Sequence, residues 1–96
     1  MPNPMSEPEV ASALARLPGW AADGSAAIHR QFKFADHVVA MGFVNRVAIV
    51  AEAMDHHPDL RIVYNTVDIR LSSHDAGGVT DRDLRLAERI SHYATG

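Results

Sequence analysis

Cysteine is absent from the 96 residues of the chain. Its absence excludes a disulfide framework, a thiolate nucleophile and a zinc site with cysteine ligands. Long apolar runs are missing as well, because the longest, residues 38–44, is far shorter than the roughly 20 residues of a membrane-spanning helix. Residues 1–4 contain no basic stretch followed by an apolar one, so we expect no secretory signal. These absences predict a cytoplasmic protein with no membrane partner.

Positive charge is also scarce. The chain has 9 lysine and arginine residues against 12 aspartate and glutamate residues, which gives a formal charge of −3 with neutral histidines. The basic residues are scattered singly along the sequence. Counterion release by clustered basic residues dominates the affinity of proteins for DNA and RNA, and this chain has no such cluster. We therefore expect no nucleic-acid partner.

Length and composition predict one globular domain over residues 1–96, since 47% of the residues are hydrophobic and 22% are charged. A chain of this size buries only about 60–65% of the surface that its unfolded form exposes. Such a small core gives a monomer marginal stability. Self-association would bury additional apolar surface, and we therefore expect a homo-oligomer.

The first half of the chain predicts a helix, a hairpin and a second helix. Ser6 and Glu9 have the spacing of a capping box at the start of a helix that should end at Pro18-Gly19. Asp23-Gly24 predicts a tight turn between two strands, and the second strand alternates apolar and polar side chains. Asp36 can cap the long helix that follows. Apolar residues recur in this helix every three or four positions: Val39, Phe43, Val47, Val50 and Met54.

The second half predicts another hairpin and a last helix. Pro58 should end the long helix and direct the chain into a strand. A two-residue turn is expected at Asn65-Thr66. The pairs that this turn predicts are Tyr64 with Val67, Ile62 with Ile69, and Leu60 with Leu71. Thr80 and Asp83 have capping-box spacing before the last helix. Because hairpins favour antiparallel sheets, the sequence predicts an α+β fold in the order α-β-β-α-β-β-α, with the helices on the apolar face of the sheet.

Three of the six histidines flank the second hairpin, His56 and His57 before it and His74 after it. A hairpin returns the chain to its starting end, so these residues should become neighbours. Glu52 and Asp55, at the end of the long helix, should border the same place. The predicted register sets His57 opposite His74, a position in which Cβ atoms are roughly 4.5–5.5 Å apart. The sequence therefore predicts a histidine site at this end of the sheet.

Imidazoles are suited to proton transfer near neutral pH, where a positioned acid or base accelerates a reaction by roughly 10²–10⁴-fold. Structural alternatives exist: His56 and His57 could be a solvated helix-end pair, His74 a loop residue, and Asp83 a capping carboxylate. The convergence of two segments favours a functional site. A zinc site is a minority option, because adjacent histidines point apart and no HExxH motif is present. The other aromatic and histidine residues have structural interpretations: Trp20 and Tyr64 in the core, and His29, His37 and His92 on the surface.

A family resemblance extends over most of the chain. The residues that carry it are Gly19, Trp20, Phe32, Lys33, Phe34, Phe43, Val47, Ala48, Glu52, His56, His57, Pro58, Tyr64, His74 and Asp83. Together, and most specifically through the spaced His-His-Pro and His, they resemble the signature of pterin-4a-carbinolamine dehydratases. Leu60 departs from the pattern, because many members of the family have an aromatic residue there, and one wall of the pocket should differ.

The resemblance implies a four-stranded antiparallel sheet covered by three helices, assembled as a homodimer or a dimer of dimers. It implies a reaction in which 4a-hydroxytetrahydropterin loses water to give quinonoid dihydropterin, as in tetrahydrobiopterin recycling. His56 and His74 would be the general acid and base, and His57 would bind the pterin and assist. The residues implied around the substrate are Glu52, Asp55, Pro58 and Asp83, of which Glu52 and Asp83 would orient imidazoles. Neither a metal nor an organic cofactor is implied.

Two alternatives to this function remain open. The chain could be a protein-interaction module, because some members of the family also stabilise the dimer of a homeodomain transcription factor. It could also catalyse a related step on another pterin, such as one in molybdopterin metabolism. The complete histidine set favours catalysis as a 4a-hydroxytetrahydrobiopterin dehydratase.

Overall fold

Seven elements follow each other in the predicted order in the computed structural model, which describes residues 3–95. They are α1 (Glu7–Leu14), β1 (Ala21–Asp23), β2 (Ala27–Lys33), α2 (His37–Met54), β3 (Asp59–Val63), β4 (Thr66–Leu71) and α3 (Asp81–Thr95). Met1, Pro2 and Gly96 lie outside the described residues, and the first two belong to the segment in which no signal was expected. The element order confirms the predicted fold class.

The starts of α1 and α2 confirm the predicted caps. Both bonds of the capping box form, since the Ser6 hydroxyl accepts from the Glu9 N–H and the Glu9 carboxylate accepts from the Ser6 N–H. The bond from the Ser6 N–H to the carboxylate holds the pKa of Glu9 below its ordinary value. The Asp36 carboxylate accepts from the Val39 N–H at 2.9 Å and caps α2. α1 ends at Leu14, before the predicted Pro18-Gly19, because tight turns follow it.

α2 ends at Met54, and the predicted end at Pro58 is wrong. Asp55 adopts a left-handed conformation with φ 51°, and its N–H bonds to the carbonyls of Ala51 and Glu52. A left-handed residue at this position stops a helix by satisfying its last carbonyls. The helix has therefore ended before the proline, and Pro58 instead lies directly before β3.

The four strands form one antiparallel sheet in the order β1-β2-β4-β3. Asp23 pairs with Ala27, so the first hairpin turn occupies residues 24–26 and is longer than the predicted turn at Asp23-Gly24. The apolar face of the sheet packs against the helices. Its buried side chains are Ile28, Phe32, Val67, Ile69 and Leu71. The other polar residues of the strands lie on the opposite face, as the alternation predicted, and Arg30 is the exception on the apolar face, with its guanidinium over the Phe32 ring.

The register of the second hairpin differs from the prediction. Its turn lies at Tyr64-Asn65, with Tyr64 at φ 54°. The observed pairs are Val63 with Thr66, Ile62 with Val67, Arg61 with Asp68, Leu60 with Ile69, and Asp59 with Arg70. This register sets opposite charges across the two strands, whereas the predicted one sets Arg61 against Arg70. The shift leaves Leu60 and Ile62 on the predicted face, because it moves the pairing by an even number of residues.

Two aromatic predictions have different outcomes. Trp20 is buried, as predicted, and its indole N–H donates to the Ser91 hydroxyl at 2.8 Å. Tyr64 is 64% exposed, so its predicted place in the core is wrong. It lies in the hairpin turn, where its side chain leaves the face of the sheet. His29, His37 and His92 are exposed, which confirms their predicted surface positions.

α2 supplies much of the core through its buried stripe. This stripe contains Ala40, Phe43, Val44, Val47, Val50 and Ala51. Val39, predicted to belong to it, is exposed, because Ala40 takes the place that faces the sheet. The opposite side of the helix carries Val38 and Ile49, which are 79% and 70% exposed. By length and composition alone α2 could cross a membrane, and the core helix of a soluble protein meets the same criterion.

Candidate functional site

His56 and Asp83 form the buried centre of the histidine site. His56 follows the left-handed cap of α2, and its backbone N–H bonds to the Ala51 carbonyl at 3.0 Å. Nε2 of its ring lies 2.5 Å from Oδ1 of Asp83, which is in the first turn of α3. The His56 side chain is 8% exposed and the Asp83 side chain is fully buried. The fold therefore joins the end of α2 to the start of α3 through an imidazole and a carboxylate.

Two further residues hold the second oxygen of this carboxylate. Oδ2 of Asp83 accepts from the Ser73 hydroxyl at 2.8 Å and from the Thr80 backbone N–H at 2.9 Å. The bond to Thr80 is the one expected of a capping-box carboxylate. Asp83 is thus both a helix cap and the partner of an imidazole. We call His56, Ser73, Thr80 and Asp83 the Asp83 cluster.

His57 points to a different environment from His56. Its Nε2 lies 2.8 Å from Oε1 of Glu52, one turn back on α2. The side chain of His57 is 58% exposed, and that of Glu52 is more exposed still. The contact with Glu52 orients the His57 ring, and more than half of the side chain remains accessible. The two adjacent histidines therefore present one buried and one open imidazole.

His74 lies in the loop between β4 and α3 and is exposed. Its two neighbours fix its place, because Ser73 bonds to Asp83 and Asp75 forms an ion pair with Arg82 at 2.6 Å. The bond from the Arg82 guanidinium holds the pKa of Asp75 below its ordinary value. The loop of His74 therefore lies beside the His56 ring, which confirms the predicted convergence of the two segments.

The predicted direct opposition of His57 and His74 is wrong. Asp59 pairs with Arg70, so a continuation of the observed register past the strand ends would face His57 with Ser72. The segment of His56 and His57 nevertheless lies close to the loop of His74, because any register of this hairpin returns the chain to the same end of the sheet.

Asp55 and Pro58 flank the two adjacent histidines. Asp55 acts through its backbone as the cap of α2, and its side chain is exposed. Pro58 is half-buried and leads into β3. Both residues thus fix the path of the segment that carries His56 and His57.

Ser73 is the site residue that the sequence did not reveal. It lies beside Ser72 in the sequence, and no local pattern separates the two serines. The structure does separate them: Ser73 is buried on Asp83, whereas the Ser72 hydroxyl donates to the Ala26 carbonyl at 2.7 Å. Thr80 was expected only as a helix cap, and its contact with Ser73 at 2.7 Å adds it to the cluster.

Other features of the described region lie apart from this site. Within residues 3–95 no group of three histidine, aspartate or glutamate side chains is placed to hold a metal ion. A depression of about 230 Å³ lies on the sheet. Its lining is His29, Arg30, Gln31, Asp59, Leu60, Arg61, Asp68, Ile69 and Arg70. This lining contains none of the three site histidines.

Comparison with known proteins reveals similarity over nearly the whole chain. Residues 3–93 match the sequence profile of the family described as pterin 4 alpha carbinolamine dehydratase. A protein of Koribacter versatilis is 50% identical over 91 residues, covering 95% of this chain and 96% of the relative. A protein of Paraburkholderia xenovorans is 54% identical over 91 residues, covering 94% and 95%. The names of both class them as pterin-4-alpha-carbinolamine dehydratases.

A solved structure is similar as well. It is a crystal structure described as the transcriptional coactivator/pterin dehydratase from Brucella melitensis. It superimposes with a TM-score of 0.91 at 42% sequence identity, covering 96% of this chain and 99% of the other. The arrangement of helices and strands is therefore shared with a protein of that description.

Proposed function

The chain belongs to the pterin-4-alpha-carbinolamine dehydratase family, a family of lyases, and we propose that it removes water from 4a-hydroxytetrahydropterin to give quinonoid dihydropterin. The observation that carries this proposal is that His56 and the loop of His74 lie close together. His56 contacts the buried Asp83 carboxylate, and Ser73, beside His74, bonds to the same carboxylate. The setting we propose is tetrahydrobiopterin recycling in the cytoplasm.

The reaction consists of two proton transfers around one C–O bond. A base removes the proton from N5, and the N5–H electron pair forms the C4a=N5 double bond. The electron pair of the C4a–O bond leaves with the hydroxyl oxygen, which an acid protonates to water. His56 and His74 share these two roles in our proposal. A positioned acid or base of this kind contributes roughly 10²–10⁴-fold to the rate.

The remaining residues of the site position the pterin and the imidazoles. His57, held by Glu52, contacts the pterin from the exposed side. Asp83 orients His56. Asp55 and Pro58 shape the border of the substrate site through the path of the chain. Since a protonated hydroxyl leaves without a Lewis acid, we propose that the reaction needs neither a metal nor an organic cofactor.

Dehydration of synthetic 4a-hydroxytetrahydropterin by the purified protein tests this function. His56→Ala and His74→Ala should each lower kcat by about 10²-fold or more, because each removes a proton-transfer group. His57→Ala should also raise KM. His29→Ala is the matched control, since that exposed histidine lies on β2, and it should leave both constants unchanged.

Two outcomes would contradict the proposed chemistry. Near-wild-type rates in the variants of His56, His57 and His74 would refute the histidine mechanism. A loss of activity on dialysis against a strong chelator, restored by added metal, would replace it with a metal-dependent one.

We also propose that the chain works as a homodimer or homotetramer. The small core supports this, as does the exposed apolar surface of α2 and β3. Its large side chains include Val38 and Ile49 on α2, and Val63 at the end of β3. Burial of these groups against a second copy would add the apolar contact that the chain lacks alone.

A non-catalytic interaction role is the second candidate. It is favoured by the Brucella melitensis neighbour, whose description includes a transcriptional coactivator. Activity separates the two functions. An interaction module would keep its partner binding in His56→Ala and would show no pterin dehydration in the unmodified chain.

A further inference from the structure

Two buried hydroxyl groups lie behind the carboxylate that contacts His56, and the proposed reaction does not use them. Ser73 is fully buried and Thr80 nearly so. Their oxygens are 2.7 Å apart, and the Ser73 oxygen is 2.8 Å from Oδ2 of Asp83. The Arg82 backbone N–H donates to the Thr80 hydroxyl oxygen at 3.3 Å. A chain of polar groups thus leads from the start of α3 to the His56 ring.

The direction of each bond in this chain follows from the number of available hydrogens. A carboxylate only accepts hydrogen bonds, and a hydroxyl has a single hydrogen to donate. The Ser73 hydrogen therefore goes to Asp83, and the bond between the two hydroxyls must be donated by Thr80. In every bond of this chain the hydrogen is donated towards Asp83. Its Oδ2 receives two donors, the Ser73 hydroxyl and the Thr80 N–H, so Oδ1 is the oxygen left for His56.

This arrangement determines which nitrogen of His56 carries the hydrogen. Oδ1 of Asp83 needs a donor, so Nε2 of His56 must be protonated, and in the neutral ring Nδ1 then carries a lone pair. Within residues 3–95 every buried side-chain nitrogen and oxygen has a hydrogen-bond partner. Nδ1 of His56 forms no hydrogen bond to these residues, so it is not one of the fully buried atoms, and the part of the His56 side chain that is exposed, 8%, includes it. The accessible nitrogen of His56 is therefore a proton acceptor.

We propose that Ser73 and Thr80 are positioning residues that hold Asp83 so that neutral His56 presents Nδ1 as the general base of the dehydration. His56 Nδ1 takes the proton from N5, and the exposed His74 gives its proton to the hydroxyl that leaves as water. The assignment of base and acid rests on the proposed function. The tautomer of His56 rests only on the hydrogen bonds of the Asp83 cluster, so it can be measured without any substrate.

Long-range ¹H–¹⁵N correlation spectra of the labelled protein report the tautomer of His56, with the signal assigned by a His56→Gln variant. The unmodified chain should show the Nε2–H form. In Asp83→Asn the amide oxygen should take the position of Oδ2, because the Ser73 hydroxyl and the Thr80 N–H donate to that position. The NH₂ group of the new side chain should then face His56 Nε2. His56 must then accept at Nε2, and its hydrogen should move to Nδ1. The loss of the base should lower kcat by about 10²-fold or more.

Ser73→Ala tests the hydroxyl pair, and Ser72→Ala is its matched control on the adjacent serine. Ser73→Ala should lower kcat about tenfold, the effect of one lost buried hydrogen bond, and should shift the acid limb of the pH–rate profile. Thr80→Val should act in the same direction, and Thr80→Ser, which keeps the hydroxyl, should restore the profile. Ser72→Ala should leave the tautomer, kcat and pH profile unchanged.

Each result decides a separate part of the proposal. An Nδ1–H or mixed tautomer in the unmodified chain would overturn it, as would identical spectra and profiles for Ser73→Ala and Ser72→Ala. An Nε2–H tautomer in a chain that does not dehydrate the pterin would refute the proposed function and the base role, and would leave the positioning of His56 established. The spectrum of the unmodified chain decides the tautomer even where a variant fails to fold.

Discussion

Two aspartates in the first turn of α3 show how burial changes what a carboxylate does. Asp81 is exposed and lies 2.8 Å from Arg85, one turn along the same helix. Asp83 is fully buried and accepts from His56, Ser73 and the Thr80 N–H. Exposed pairs within a helix add a few tenths of a kilocalorie per mole, whereas a buried polar group that loses its partner incurs a large desolvation cost. The two residues provide a matched comparison.

Asp83→Ala should lower the free energy of unfolding by about 3 kcal/mol, because it leaves an imidazole, a hydroxyl and a backbone N–H buried without an acceptor. Asp81→Ala should lower it by less than about 1 kcal/mol. Urea denaturation of the two variants and the unmodified chain measures both values. Equal losses would show that the Asp83 cluster contributes no more to stability than a surface pair.

At the scale of elements, the second hairpin fixes the direction in which the site residues leave the sheet. Arg61 faces Asp68 across β3 and β4, and the charged groups of this pair lie 3.7 Å apart. Asp59 faces Arg70 two positions further along the strands, on the same face of the sheet. Opposite charges directly across an antiparallel pair are stabilising, so these side chains favour the observed register over the predicted one.

Charge reversal tests this register. In the observed pairing Arg61→Asp sets a carboxylate opposite Asp68 and should destabilise the chain by about 0.5–1 kcal/mol. The double variant Arg61→Asp with Asp68→Arg should recover most of that loss. In the predicted register the single variant would instead face Arg70 and would stabilise the hairpin. Thermal unfolding of the two variants therefore distinguishes the registers by the sign of the change.

At the scale of the whole molecule, the exposed apolar side of α2 is the surface through which we expect two copies of the chain to associate. Sedimentation at micromolar concentration should show a species heavier than the 10.5 kDa chain. Ile49→Glu places a charge on the exposed apolar side of α2 and should shift the distribution towards monomer. Ala11→Glu, an exposed position on α1, is the control and should not shift it. A fully active monomer at these concentrations would contradict the proposed assembly.

Local sequence determined much of this protein. Ser6 with Glu9, and Asp36, predicted where the first two helices begin, because a cap is a contact between near neighbours in the chain. Periodicity predicted the buried faces of β2 and β4 in the same way. The approach of His56 to the loop of His74 was predictable too, since a hairpin returns the chain whichever residues form its turn.

Tertiary structure decided the features that depend on residues far apart. The register predicted from the sequence for the second hairpin is wrong, and the pairing of opposite charges across the strands favours the observed one. Ser73 and Ser72 are locally equivalent, and only the contact between the start of α3 and the segment that follows β4 buries one of them on Asp83. The protonation site of the His56 ring follows from that contact, because the hydrogen of an imidazole goes to the nitrogen whose partner can only accept.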